Sequence, residues 1–338
     1  MTRANEKEVA MSTHVLAISQ RDLRPLVSDP SSMNGAIAAL ERATLDFHHG
    51  KVREHNLADQ AQGAENANLL QIHMAADDGL VTGFQMFAEE RGGPERPNSR
   101  FVAVLDSSTR QLLALVDYWL LSPIRVGASA GVGCRYLAPI GARTVGILGS
   151  SKQARAQLQA INCSVPSIER AHVFSPTPEH RDAFARDMAQ WLGIDVTAVA
   201  TPREAVEGAD VVGIANNSRQ PVFELGWVKR GALIVTIGGP NQLPADAASV
   251  QRFVAPNPEG VRDREPYVSR ASAALAPTDV VTGLGAVITK EATVRRGPAD
   301  TVLFDVGRLN IWAVATAEWA YRWALANKAG TPFTLAAE

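Results

Sequence analysis

The sequence predicts an α/β protein built on a Rossmann-type, doubly wound parallel sheet, with an α+β region ahead of it. Three observations carry this expectation. From Thr144 onward, short apolar runs alternate with segments of helical periodicity, the pattern of buried parallel strands separated by covering helices. Between Leu69 and Leu115, short apolar runs instead follow one another across turns rich in Asp, Gly, Pro and Asn, which suits an antiparallel sheet. Finally, the β-branched run Thr144 to Leu148 stops at Gly149, and a helical segment follows with Ala154, Leu158 and Ile161 on one face.

Taken in order, residues 1–14 are polar and charged, lack the apolar core of a signal peptide and read as a disordered leader. Val15 to Ile18 reads as a short strand, and Ser19 to Val27 as a turn and short helix. Ser31 or Ser32 can cap the next helix, which sets Met33, Ile37, Leu40, Thr44 and Phe47 on one stripe and ends at Gly50. Apolar runs at Leu69–Met74, Leu80–Phe87, Phe101–Leu105 and Gln111–Val116 supply strands, with an exposed charged loop from Glu89 to Asn98. Ser122-Pro-Ile-Arg-Val-Gly127 opens a helix from Ala128 to Leu137, whose Ala, Ser and Gly content suits close packing between helices or subunits.

Parallel strands are expected at Thr144–Leu148, Ala171–Phe174, Val196–Val199, Val211–Ile214 and Leu233–Ile237, with another near Phe253. One intervening helix is capped by Thr177 and turns Phe184, Met188 and Trp191 inward; a shorter one starts at Thr201, with proline at its first helical position. The last helix runs from about Ile311 to Asn327, with Asn310 as N-cap and Gly330 just beyond its end. Its Trp312, Trp319 and Trp323 share one face as a buried seam.

Composition narrows the function. The 338 residues can build two cores, and a net charge of −2 gives no reason to expect nucleic acid or an anionic membrane as partner. No apolar run approaches the roughly 20 residues that span a bilayer, so a cytoplasmic location is expected. Cys134 and Cys163, in apolar contexts without a C-x-x-C, read as reduced thiols. Neither metal-ligand spacing nor a G-x-S-x-G nucleophile turn is present.

A buried strand, a glycine turn and a helix N-terminus are the parts of a dinucleotide phosphate site, because the helix's free N–H groups and positive dipole end face the turn. The residues concerned are Gly149, Ser150, Ser151, Gln153 and Ala154; an ordinary βα turn is the bland alternative. An NAD site usually places an acid at the end of the second strand, for the ribose 2′-hydroxyl. Here Phe174 is followed by Ser175, Thr177, His180 and Arg181, with no acid directly at the strand end and Glu179 as the main counter-evidence. NADP(H) is therefore expected over NAD(H).

Five segments together are more specific than that turn. They are Ile124-Arg-Val-Gly, Gly149-Ser-Ser-Lys-Gln-Ala-Arg, Asp210-Val-Val-Gly-Ile-Ala-Asn-Asn-Ser-Arg-Gln-Pro221, Lys229-Arg-Gly-Ala-Leu-Ile-Val-Thr-Ile-Gly-Gly239 and Leu303-Phe-Asp-Val-Gly307. In these the chain resembles the ornithine cyclodeaminase/mu-crystallin family of NAD(P)-dependent enzymes, from about Val15 to Gly330. The resemblance implies a discontinuous substrate-binding and dimerising domain, residues 15–127 and 305–338, with a dinucleotide-binding domain at 128–304. It also implies hydride transfer between a nicotinamide and the α-carbon of an amino or imino acid. Arg125 matches the family arginine that binds the substrate carboxylate, an interdomain salt bridge being the alternative; Arg53 matches a second such arginine more loosely. Ala215, Asn216, Asn217, Ser218 and Gly238 fall along the nicotinamide end.

Departures from the family are equally informative. The region of its usual lysine, around Val81 to Met86, has none; Gln85 is the nearest candidate by position and cannot act as an acid. The stretch after the glycine pair, Pro240-Asn241-Gln-Leu-Pro244, lacks the aspartate that handles ornithine's distal amine, and Trp312 stands where a further aspartate is found. Asn241 is left as a substrate contact, with His73 and His55 as candidate proton carriers. The resulting expectation is a homodimeric, NADP(H)-preferring reductase or dehydrogenase acting on a carbon of a C=N or CH–NH₂ group beside a carboxylate. A cyclodeaminase without net redox and a non-catalytic dinucleotide-binding protein are the rivals.

Overall fold

A computed structural model describes residues 14–61, 68–77, 81–90, 100–109, 111–237, 242–244, 246–247, 250, 252–259, 281–307 and 309–335; at 53, 55–61, 68–77, 81–82 and 87–90 it describes the backbone alone. Two sheets organise these residues. The first has seven strands: β1 (Val15–Ile18), β2 (Val52–Ala61), β3 (Asn68–Asp77), β4 (Val81–Glu90), β5 (Arg100–Asp106), β6 (Leu112–Asp117) and β15 (Thr331–Phe333), in the order β15-β1-β6-β5-β4-β3-β2. Strands β2 to β6 form an antiparallel meander. Strand β1 lies parallel to β6, with Ala17 opposite Leu115, and antiparallel to β15, with Leu16 opposite Pro332. Neither β2 nor β15 was expected. Val-Arg-Glu-His-Asn-Leu-Ala-Asp-Gln-Ala carries almost no apolar signal, and pairing with β3 makes it a strand.

The second sheet is parallel throughout. It contains β7 (Thr144–Leu148), β8 (Arg170–Phe174), β9 (Asp195–Ala198), β10 (Val211–Ile214), β11 (Leu233–Thr236), β12 (Arg252–Ala255), β13 (Val281–Gly283) and β14 (Val302–Asp305), ordered β13-β12-β14-β11-β10-β7-β8-β9. From β7 the chain builds outward to β9, then returns to β10 on the other side of β7. The order thus reverses between β7 and β10, opening a crevice at the carboxyl ends of these strands, where ligands bind in such sheets. Strand β14 was not anticipated as a strand; it inserts between β11 and β12 and is buried at all four residues.

The helices are α1 (Gln20–Val27), α2 (Ser32–His48), α3 (Leu121–Leu137), α4 (Lys152–Ser164), α5 (Pro178–Leu192), α6 (Pro202–Val206), α7 (Leu284–Ile288) and α8 (Asn310–Asn327). Helix α1 starts with a reciprocal capping box between Ser19 and Asp22. Helix α2 buries Met33, Ile37, Leu40 and Thr44 of the stripe expected of it, while Phe47 in its last turn is half-buried. Helix α3 begins at Leu121 rather than Ala128, so it carries the chain unbroken across position 127/128, where the two domains were divided. Its small residues serve packing within the chain. A Cβ at Gly127 would collide with the Ala156 backbone of α4, at Gly131 with Ile37 of α2, and at Gly133 with the Phe304 ring of β14. This helix is the wedge between the two sheets.

Details at helix ends differ from expectation. Helix α8 has Leu309 as its N-cap, because Asn310 is already helical, and it ends on Lys328 in the left-handed conformation (φ 53°), two residues before Gly330. Phe184 and Met188 of α5 are buried, but Trp191 is 37% exposed, since α5 covers the edge strand β9 and its last turn has little left to pack on. Cys134 is buried and Cys163 half-buried; both are free, and burial pushes both thiols above their ordinary pKa. Among the described residues no helix is long and apolar enough to cross a membrane.

Candidate active site

Strand β7 runs into a turn that only glycine can make. Gly149 has φ 131°, outside the range of residues with a side chain, and a Cβ there would lie inside the Ala215 carbonyl oxygen. The turn is pinned from both sides: Gly149 N–H donates to Phe174 O at 2.8 Å, and Ala215 N–H donates to Leu148 O at 3.0 Å. Ser151, in the place of the usual middle glycine, is the N-cap of α4, with Oγ accepting from Ala154 N–H at 3.3 Å. The N–H groups of Lys152 and Gln153 in the first helical turn then have no intrahelical acceptor and sit at the positive dipole end. Ala154 is fully buried and lets the helix approach the strand closely. A cradle that excludes Cβ atoms, with backbone donors at its lip, fits the diphosphate of a dinucleotide.

The flanks of the turn are tied into it. On the β8 side, Ser150 Oγ donates to Ser175 Oγ (3.0 Å), the buried Ser175 hydroxyl reaches Thr177 O (3.4 Å), and Arg181 Nη1 donates to Ser175 O (3.0 Å). Thr177 is the N-cap of α5 but makes no side-chain capping bond, and Glu179 is exposed on that helix's first turn. On the β10 side, Asn216 Nδ2 donates to Leu148 O (3.2 Å) while its Oδ1 accepts from Ser218 N–H (2.9 Å). Gln242 Nε2 in turn donates to Asn216 O at 2.5 Å, and Asn217 is exposed. Gly238 and Asn241 lie outside the described residues.

A cleft of about 270 Å³ joins the turn to the first sheet. Arg100, Trp119, Ser122 and Pro123 line it from one side and Ser151, Lys152 and Gln153 from the other. The Arg100 guanidinium lies 4.7 Å and the Lys152 ammonium 5.8 Å from the centroid of the Trp119 ring, so two cations flank one indole at its mouth.

Arg125 follows Ser122 by one turn of α3. It is half-buried, its Nε is buried without a hydrogen-bond partner, and it forms no ion pair with a carboxylate among the described residues. Beside it is the fully buried phenol of Tyr118, whose pKa burial pushes up against the opposing charge of Arg125. The interdomain salt bridge considered for Arg125 is thus not made among the described residues.

Gln85, in β4, is half-buried and stands in register between His73 of β3 and Val102 of β5. Two residues earlier a Cβ on Gly83 would meet Val314 of α8, so by strand alternation Gln85 shares the face that α8 covers. Arg53 lies opposite Ala76; its side chain and those of His73 and His55 are outside the described residues. Trp312 is in the core, with Nε1 donating to Thr44 Oγ1 at 3.0 Å, so its position offers no substitute for a carboxylate.

Tyr118, Arg100, Trp119, Lys152 and Gln242 are neighbours of the site that the sequence did not single out. Only Lys152, inside the glycine-turn motif, carried a local signal. The others are brought in from β5, the β6–α3 link and the segment after β11.

A parallel sheet with a capped glycine turn at its switch point, and an arginine at the seam with a second sheet, define a two-sheet dinucleotide-dependent enzyme. The chain belongs to the ornithine cyclodeaminase/mu-crystallin family, whose model matches residues 24–328. It is similar to the Delta(1)-pyrroline-2-carboxylate reductase of Bacillus cereus, 27% identical over 236 residues that cover 68% of this chain and 72% of that one. Among solved structures, that of Thermococcus litoralis Delta(1)-pyrroline-2-carboxylate reductase in complex with NADH and L-proline is 26% identical with a TM-score of 0.83, covering 94% of this chain and 99% of that one. An archaeal alanine dehydrogenase dimer with bound NAD shares the fold at a TM-score of 0.83 and 23% identity, over 96% of this chain and 100% of that one.

Proposed function

We propose that this protein is an NAD(P)(H)-dependent oxidoreductase that transfers hydride to or from the α-carbon of an imino or amino acid, acting as an imine reductase on a C=N carbon that bears a carboxylate. One observation carries the reading: Arg125, one helical turn from the cleft at the dinucleotide turn, has no carboxylate partner among the described residues. A partly buried guanidinium in such a place is matched by a carboxylate on the substrate, through two parallel hydrogen bonds. The similar reductases of Delta(1)-pyrroline-2-carboxylate make a cyclic imine carboxylate the substrate class to try first. When bound, the nicotinamide supplies or takes up the hydride. The chain's own residues position the two reactants: Gly149 to Ala154 hold the diphosphate, Ala215 to Ser218 with Gly238 border the nicotinamide, and Arg125 orients the substrate with Arg53, Gln85 and Asn241 around it. A protonated C=N bond needs only hydride to become an amine, so Gln85 suits this chemistry as a hydrogen-bonding group even though it supplies no proton.

The test is an assay with Delta(1)-pyrroline-2-carboxylate and reduced cofactor. Loss of nicotinamide absorbance with formation of proline supports the reading. Ammonia release from ornithine without net absorbance change would replace it with a cyclodeaminase, and cofactor binding without turnover on a panel of cyclic imine carboxylates would leave a binding protein.

NADP(H) is the proposed cofactor. Arg181, held over the end of β8 by its bond to Ser175 O, supplies a cation near the 2′ position, and Ser175 and Thr177 take the place of an acid there. NADPH should bind roughly tenfold more tightly than NADH, and Arg181→Ala should remove the difference. Fluorescence titration of both cofactors measures this; tighter NADH binding by the wild type would make Glu179 the ribose partner instead.

The proposed assembly is a homodimer through the first sheet, in the domain made of residues 15–127 and 305–338. Helix α8 covers one face of that sheet. Phe84, Met86, Phe101 and Leu115 alternate onto the other face, with Phe84 and Phe101 edge-on at 6.2 Å. Light scattering at micromolar concentration should give twice the monomer mass for the wild type and monomer for Phe84→Glu/Phe101→Glu. A monomeric wild type would overturn the proposal.

A further inference from the structure

We infer that Tyr118 is a positioning residue for Arg125: its buried phenol gives the guanidinium a neutral acceptor, fixing its direction while leaving its charge for the substrate carboxylate. The inference rests on the carboxylate-binding reading of Arg125. Tyr118 follows β6 directly and is wholly inaccessible to solvent. A phenylalanine would fill the same space without the cost of burying a hydroxyl, so packing alone gives no reason for the oxygen. That oxygen is buried without a hydrogen-bond partner, and Arg125 and Thr316 of α8 are the polar groups that act on it.

The neighbours dictate the choice. Thr316 Oγ1 donates to Trp312 O at 2.6 Å, which leaves only its lone pairs for Tyr118. A guanidinium can only donate. Any bond the phenol makes to these two groups therefore sends its proton to Thr316 and turns its lone pairs to Arg125, a chain with one polarity. Its far end is anchored: Trp312 Nε1 donates to Thr44 Oγ1 at 3.0 Å, and Thr44 Oγ1 donates to Leu40 O at 2.7 Å. A phenol turned this way would brace Arg125 through Tyr118 against α8 and α2. A carboxylate in the place of Tyr118 would hold the guanidinium as firmly but would compensate its charge and compete with the substrate. A buried phenol stays neutral, because burial raises its pKa.

The experiment uses the full chain with saturating NADPH and two probes, pyrrole-2-carboxylate for binding by calorimetry and Delta(1)-pyrroline-2-carboxylate for turnover. Tyr118→Phe should keep the wild-type thermal midpoint and NADPH affinity, while probe binding weakens and KM rises roughly tenfold with kcat little changed. Thr316→Val should act in the same direction, more weakly. In an Arg125→Ala background, Tyr118→Phe should have no further effect, the signature of a residue acting through another. Wild-type probe binding by Tyr118→Phe, with binding lost in Arg125→Ala, would overturn this inference alone; so would a Tyr118 effect that persists without Arg125. Arg125→Ala with wild-type probe binding, or a wild type indifferent to both probes, would overturn the carboxylate reading and this inference with it.

Discussion

Arg125→Ala should leave NADPH affinity and the thermal midpoint nearly unchanged while kcat/KM for Delta(1)-pyrroline-2-carboxylate collapses. Stability is spared because the side chain makes no ion pair with a described carboxylate that truncation would orphan. Catalysis is not spared, because removing one partner of a desolvated charge pair costs on the order of 2–5 kcal/mol, roughly a thirtyfold to several-thousandfold loss. Arg125→Lys should recover only part of this, since an ammonium cannot reproduce the planar two-pronged contact. Midpoint, cofactor affinity and turnover measured on one preparation separate the roles. Loss of all three would make Arg125 a brace between the sheets, and a stable variant with wild-type turnover would remove it from the site.

Gly149→Ala should have the second large effect, this time on the cofactor. The substitution forces a side chain into φ 131° and into the Ala215 carbonyl. Strain of this kind costs about 1–3 kcal/mol, and the collision adds a similar amount as the turn shifts away from β10. NADPH should bind at least about a hundredfold more weakly, with a clear drop in thermal midpoint. Gly208→Ala is the control: Gly208 also has positive φ (79°), but a Cβ there meets nothing within 4 Å. It should lose only about 1 kcal/mol and bind NADPH as the wild type does. Equal cofactor affinity in Gly149→Ala and the wild type would show that the turn does not hold the dinucleotide.

What the sequence determined by itself was whatever a short window can encode. Thr144 to Ala154 spells a buried strand, a turn and a helix start within eleven residues, so the glycine turn was legible without any partner. The same holds for the stripe of α2, which needs only helical period, and for the α/β alternation after Thr144.

Tertiary structure decided whatever depends on residues far apart in the chain. Strand β2 carries a polar sequence and exists because β3 pairs with it; β14 is found between β11 and β12, where its apolar Val302, Leu303 and Phe304 are buried; β15 returns to pair with β1. The glycines of α3 suited helix or subunit contact equally until Ala156, Ile37 and Phe304 were seen against them. Above all, Arg125 was recognisable by its motif, but Tyr118, seven residues before it and in the link between β6 and α3, becomes its neighbour only in the folded chain. Thr316 joins them from α8, almost two hundred residues on in the sequence. Periodicity reports which face a residue is on; only packing reports what it meets there.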